Sequence, residues 1–169
     1  MDFGVFDSRG AADKGRPLHL LHPSSALPLY NSADRPFEDN GLPCTVLVRG
    51  TEGRDTQRAV TDVLKRIREA KDEAAPEDEG EGKKLSQSRE ELHDELVRLA
   101  IPLVAGFENV DRGDSPARVP EDVEWFLNLQ LSSGAPGLFG NSEGRSFVEQ
   151  VVDYSVNRAH YLGNGPSVS

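Results

Sequence analysis

The residues of this chain that could do chemistry are few, and their spacing argues against most of it. His19 and His22 read H-x-x-H. On a strand that spacing sends the two imidazoles to opposite faces, so they chelate a metal poorly. His93 and His160 fall on separate helical segments. The single cysteine, Cys44, excludes an internal disulfide and a multi-thiolate metal site, and it reads as a half-buried strand residue. "DRGD" (111–114), with Glu108 before it, offers oxygens to calcium, but the alternating ligands and terminal Glu of a calcium hand are missing. It reads as an acidic turn. "GAPGLFGNSEG" (134–144) spaces Gly134, Gly137, Gly140 and Gly144 ahead of a helix, where backbone N–H groups could approach a phosphate. A helix rather than a strand precedes it, however, and no Gly-Lys-Ser/Thr occurs. No serine has His and Asp partners in a hydrolase order. Glu121, Asp122 and Glu124 could pair as acid and base, but the dipole of the helix they open explains them fully. The expectation is therefore no catalytic residue, no cofactor, no metal ligand and no enzyme.

Composition narrows the classes further. The chain has 169 residues, 36% apolar and 28% charged, with a net charge of −10. That length suits one domain, or a small strand-rich part joined to a helical part. So acidic a protein repels phosphate backbones, which disfavours nucleic acid as a partner. No apolar run approaches the ~20 residues that span a bilayer, and "MDFGVFDSRGAADKG" has early acids and no apolar block. A cytosolic protein without membrane contact is expected.

The elements follow from periodicity. Residues 1–16 read as irregular. "RPLHLLHP" (16–23), a second extended piece within "PSSALPLYN" (23–31), and "CTVLVRG" (44–50) read as three short strands of an antiparallel sheet. In 55–74 the period changes: Val60, Val63, Leu64 and Ile67 share one helical face, with Asp55 or Thr56 as N-cap. This helix covers the sheet, giving a unit over 17–74. An acidic linker over 75–85 follows.

A helical part over 86–163 completes the chain before a tail at 164–169. Its first helix spans 86–110, with Ser88 and Glu91 as a capping box and a kink at Pro102. The second spans 120–133, with Val123, Phe126, Leu127 and Leu131 facing inward and Trp125 off that stripe. The third spans 146–164, with a stripe of Phe147, Val151, Tyr154 or Ser155, Arg158 and Leu162. The fold class is thus α+β: a small N-terminal antiparallel β-sheet with a covering helix, then a C-terminal helical part of about three helices. Most apolar residues go to the core. Trp125, Leu138, Phe139, Tyr154 and Tyr161 are expected to remain as an exposed patch, and such patches mark protein partners. With Phe147 and Val151 of the last helix they form the candidate partner-binding set.

The order of pieces resembles the tail assembly chaperones of long-tailed bacteriophages. "LHPSSALPLY" followed by "PCTVLVRGTEGRDTQRAV" is similar to their opening strands and first helix, with Gly50, Asp55 and Thr56 at the Gly and polar-pair positions. "LAIPLVAGFENV" is similar to a helix end in which Trp is common where Phe107 stands. "VPEDVEWFLN" and "SFVEQVVDYSVNRAHYLGN" resemble the two closing helices, with Phe147, Gln150, Val151, Arg158, Tyr161 and Leu162 fitting in sequence. The resemblance covers most of 17–163. The segments 70–84 and 134–144 are longer than usual in it. It implies a non-enzymatic assembly factor in the host cytoplasm. Such a factor coats the apolar tape-measure protein, helps recruit tail-tube subunits, and is absent from the mature virion. Self-association is a further contact open to it. Two other readings compete: a structural tail-tube or head–tail connector protein, and a small nucleotide-binding module using the 134–144 loop.

Overall fold

The computed structural model describes residues 1–54, 56–62, 65, 81–131 and 145–162. The fold is α+β, a three-stranded antiparallel sheet with helices followed by a helical C-terminal part. Strand β1 (Arg16–His19) pairs with β2 (Thr45–Val48) in the register Arg16↔Val48 to His19↔Thr45. On the other side of β2 lies β3 (Val104–Glu108), with Thr45 opposite Glu108 and a register shift between Leu47 and Val48. The β-branched run of β2 suits this central place, and Val46 and Val48 are fully buried.

Two of the expected strands are correct, and the third is corrected. The piece over 23–31 makes only isolated bridges, Leu21↔Pro28 and Tyr30↔Pro43. Pro28 has no N–H to give a ladder. The third strand comes instead from the end of the expected 86–110 helix. Helix α2 (Glu81–Ala100) stops before Pro102, a 3-10 turn covers Ile101–Leu103, and the chain then extends. Proline disfavours helical backbone at the residue before it and removes a donor, so it ends the helix rather than kinking it. Gly106 suits the strand because an added Cβ would meet Leu47 Cδ1 at 3.2 Å. An apolar run with no clear face fits a buried strand as well as a buried helix.

Other boundaries move too. The N-terminus is not irregular: a 3-10 turn (Phe3–Phe6) precedes helix α1 (Ser8–Lys14), which is capped by the Asp7 side chain and stopped by Gly15 at φ 87°. Helix α2 starts at Glu81, so 81–85 belong to it and Ser88 lies inside it rather than at its cap. The helical stretch at 56–62 buries Val60; Asp55, Val63, Leu64 and Ile67 lie outside the described residues. The 111–120 loop contains a hairpin, β4 (Asp111–Arg112) with β5 (Ser115–Pro116), turned at Gly113. Helix α3 (Val123–Leu127) is shorter than expected. Asn128 stops it, its side-chain Nδ2 donating to Glu124 O at 2.9 Å. Val123, Phe126 and Leu127 are buried as expected, but Leu131 is 58% exposed. Helix α4 (Phe147–Val156) ends at Asn157, whose side chain caps a 3-10 turn over Arg158–Tyr161.

The sheet and the helices share one core. Val46, Val48, Leu103, Val104, Phe126, Leu127, Val148 and Val151 are all nearly inaccessible and belong to the same cluster. Each such side chain is worth ~1.5–3 kcal/mol against exposure. Phe126 sits between Phe107 of β3 (5.2 Å, edge-on) and Phe147 of α4 (5.1 Å, stacked), which ties sheet to both helices. Among the described residues no helix is long and apolar enough to cross a membrane.

Candidate functional site

Helix α4 is fixed first by its own start. The Ser146 hydroxyl accepts the Glu149 N–H at 3.4 Å, and Glu149 Oε2 accepts the Ser146 N–H at 3.2 Å, a capping box whose carboxylate is wholly buried. The helix then reaches the sheet with polar side chains. Gln150 bonds both backbone groups of Leu21, and the Tyr154 hydroxyl donates to Pro17 O at 3.0 Å. Past the helix, the Tyr161 hydroxyl donates to Val48 O at 3.0 Å. The Tyr161 ring passes over Gly50, where an added Cβ would lie 3.0 Å from Cε2 and 2.8 Å from Ala12 Cβ. Glycine is required there by this close approach.

Between β1 and α4 lies a small cleft lined by Leu18, Leu21, His22, Arg145, Asp153, Tyr154 and His160 among others. Its charges cancel, since Arg145 is paired with Asp153. His22 Nδ1 accepts the N–H groups of Ser24 and Ser25, so its proton sits on Nε2. His160 Nδ1 faces the carbonyl of Tyr154 at 3.1 Å, so that nitrogen carries the proton, and the ring stacks on Tyr154 at 3.8 Å. Both imidazoles are thus held by backbone. Among the described residues no serine or cysteine lines this cleft, so they offer no nucleophile with its base.

A second, wider cleft of about 480 Å³ lies between α1 and the C-terminal 3-10 turn, lined by Phe6, Ser8, Arg9, Glu52, Gln57, Arg158 and Leu162. Ser8 Oγ donates to Glu52 Oε2 at 2.7 Å, and Arg158 donates through Nε and Nη2 to Glu52 Oε1 at 2.5 Å each. The Ser8 hydroxyl first, and then Arg158 and Arg9, hold the Glu52 carboxyl below the usual carboxylate range.

Those of the expected partner-binding residues that are described do not form one exposed surface. Val151 is fully buried and Tyr161 is 2% exposed, so both belong to the packed interior and the expected exposure of Tyr161 is corrected. The reason is the hydroxyl bond to Val48 and the fit over Gly50. Phe147 and Tyr154 are half-buried against the core, as is Trp125, over which Arg112 sits 5.2 Å from the ring centroid. Leu138 and Phe139 lie outside the described residues, as does the 134–144 loop.

That loop also contains the string Gly140-Asn141-Ser142-Glu143-Gly144, which has the G-x-S-x-G spacing of a nucleophile elbow. An elbow joins a strand to a helix, whereas the described element before this loop is the helix α3.

The metal expectations can be placed residue by residue. His19 Nε2 contacts Leu29 O at 2.8 Å, away from His22. His93 Nε2 contacts Asn128 Oδ1 at 2.9 Å. Cys44 is half-buried as expected, and burial first, then Asp111, pushes its thiol up. Among the described residues no three His, Cys, Asp or Glu side chains gather to hold a metal.

What sequence reasoning missed is the Arg9, Glu52 and Arg158 group. Glu52 lies 44 residues from Ser8 and 106 from Arg158, so no local spacing could have joined them. No protein-family model matches the chain, and no curated protein or solved structure is significantly similar to it.

Proposed function

We propose that this chain is a non-enzymatic tail assembly chaperone of a long-tailed bacteriophage, acting in the host cytoplasm. It binds the tape-measure protein, helps recruit tail-tube subunits, and leaves before the virion matures. The order of sequence pieces between residues 17 and 163 is the ground for the family. That order alone carries the reading; Phe3 at 74%, Leu131 at 58% and Val156 at 55% exposure are candidate client contacts, although single exposed apolar side chains are ordinary on a protein surface. An apolar, helical client would pack against such side chains. A tail-tube subunit needs long strands that close a ring, and the sheet here has strands of four and five residues.

The test is co-expression with the tape-measure protein. Wild type keeps the client soluble. The double variant Leu131→Ser, Val156→Ser, which touches only exposed positions, loses part of that effect while melting like wild type. A client that stays insoluble with wild type overturns the reading. Val151→Asp is unsuitable, because it places a charge in the core and tests folding alone.

A further inference from the structure

The chain is strongly acidic, yet the described residues that line one cleft include two guanidinium groups and one carboxylate. Around the cleft between α1 and the C-terminal 3-10 turn, two guanidinium groups, Arg9 and Arg158, face the carboxylate of Glu52. That carboxylate is already occupied: one oxygen takes the Ser8 hydroxyl and the other takes Arg158. Arg9 is near enough to act on Glu52 through space. Among the described residues it makes no hydrogen bond or ion pair of its own, so the surplus positive charge rests on it. Beside it Phe6 is 44% exposed, its ring 5.7 Å from that of Phe3, and Leu162 forms the far wall.

We propose that this cleft binds an acidic segment of a partner polypeptide, with an Asp or Glu carboxylate seated on Arg9 and a neighbouring apolar side chain against Phe6 and Leu162. Arginine suits the task because its planar fork meets a carboxylate with two parallel hydrogen bonds. The negative charge of the whole chain does not forbid it. At physiological salt that field is screened over ~8 Å, so contact with Arg9 outweighs it. A nucleic acid fits poorly, because its backbone needs many cationic contacts and the described lining of this cleft offers one surplus charge between apolar walls. A small free anion would leave those walls unused. The site is independent of the chaperone reading, since a defined peptide tests it without any phage protein.

The experiment titrates the full ¹⁵N-labelled chain with the peptide acetyl-Glu-Leu-Phe-Glu-Leu-amide and with its Gln-for-Glu counterpart, following amide shifts. The acidic peptide should move the signals of Phe6, Ser8, Arg9, Glu52 and Arg158, and raising the salt should weaken it. Arg9→Gln should weaken binding about two- to fivefold, as expected for one exposed ion pair, and Arg9→Lys should restore part of it. Phe6→Ala should weaken it as well. Both positions are exposed, so the three variants keep the fold. Equal binding of the Gln peptide, shifts centred elsewhere, or an Arg9→Gln variant that binds like wild type would overturn the proposal. So would a single-stranded RNA oligomer that moves the same signals, or an Arg9→Gln change in sedimentation that reveals a second copy in the cleft.

Discussion

Gln150 holds Leu21 by both of its backbone groups: its Oε1 accepts the Leu21 N–H at 2.9 Å and its Nε2 donates to the Leu21 carbonyl at 3.0 Å. A side-chain amide here stands in for the neighbouring strand that the edge of β1 lacks, and the Tyr154 hydroxyl does the same at Pro17. Gln150→Ala leaves a half-buried donor and acceptor without partners. The expected loss is about 1–3 kcal/mol, or a fall in Tm of about 2–4 °C per kcal/mol for a chain this size. Gln150→Glu keeps the acceptor but turns a charged oxygen toward the Leu21 and Arg145 carbonyls at a buried position, so it should cost at least as much. Melting both variants by circular dichroism decides the matter; wild-type melting of Gln150→Ala would show that the pair adds nothing.

At Gly50 a methyl group has no room, with Ala12 and the Tyr161 ring both inside contact distance. Gly50→Ala should cost about 1–3 kcal/mol through overpacking. In the background of Tyr161→Leu, which removes the ring, the same substitution should cost much less. A double-mutant cycle by urea denaturation gives the coupling.

Alkaline pH should unfold the chain through its tyrosines. Burial pushes Tyr161, and to a smaller degree Tyr154, above the ordinary tyrosine value of 10.0. The folded state therefore holds these protons more tightly than the unfolded one. Their contribution is complete below about pH 10 and is lost as pH rises from there toward the folded values. Urea midpoints at pH 9 and pH 11 should fall steeply for wild type and less for Tyr161→Phe. Equal slopes would show that Tyr161 does not control the alkaline limb.

The acid side has the opposite sign. Glu52 is held low by Ser8 and Arg158, and Asp122 by Arg112 and the Arg118 N–H. Both contribute stability above their unfolded values, 4.5 and 3.8, and lose it as pH falls below them. Glu52→Gln together with Asp122→Asn should flatten the stability profile between pH 5 and pH 3, at the cost of a lower plateau near neutrality. Both carboxylates are only partly covered, so salt should shrink the difference in part.

Mass spectrometry of purified mature particles provides the functional counterpart. The chaperone reading expects peptides of this chain in the infected-cell lysate and none in the particles. Stoichiometric recovery from particles would move the assignment to a structural tail protein.

Much of the fold was legible because it is written locally. The β-branched run 45–48 between Pro43 and Gly50, and the Ser146 to Glu149 spacing at the start of α4, declare their structures within a few residues. The segment 104–108 does not. Its apolar residues follow a helix without a polar break, and only pairing with Leu47 and Val46 decides that it is extended. Asn128 and Asn157 stop helices through their own side chains, a signal too common in loops to fix a boundary. Helix α1 was legible in retrospect from Asp7 and Gly15, but seven residues rich in small and charged types show no apolar stripe. For the candidate surface, apolar character was readable and exposure was not, because only the fold tells whether a tyrosine such as Tyr161 finds a buried acceptor.

The placement of β3 has a consequence for how the chain is made. While the ribosome is still translating the residues before Val104, β2 has one bare flank, and Val46 and Val48 lack the cover that β3 and α4 give them. The nascent protein cannot finish its N-terminal portion early and wait for the rest. A split within 66–80 should therefore yield two fragments that stay unfolded apart and regain structure only when mixed.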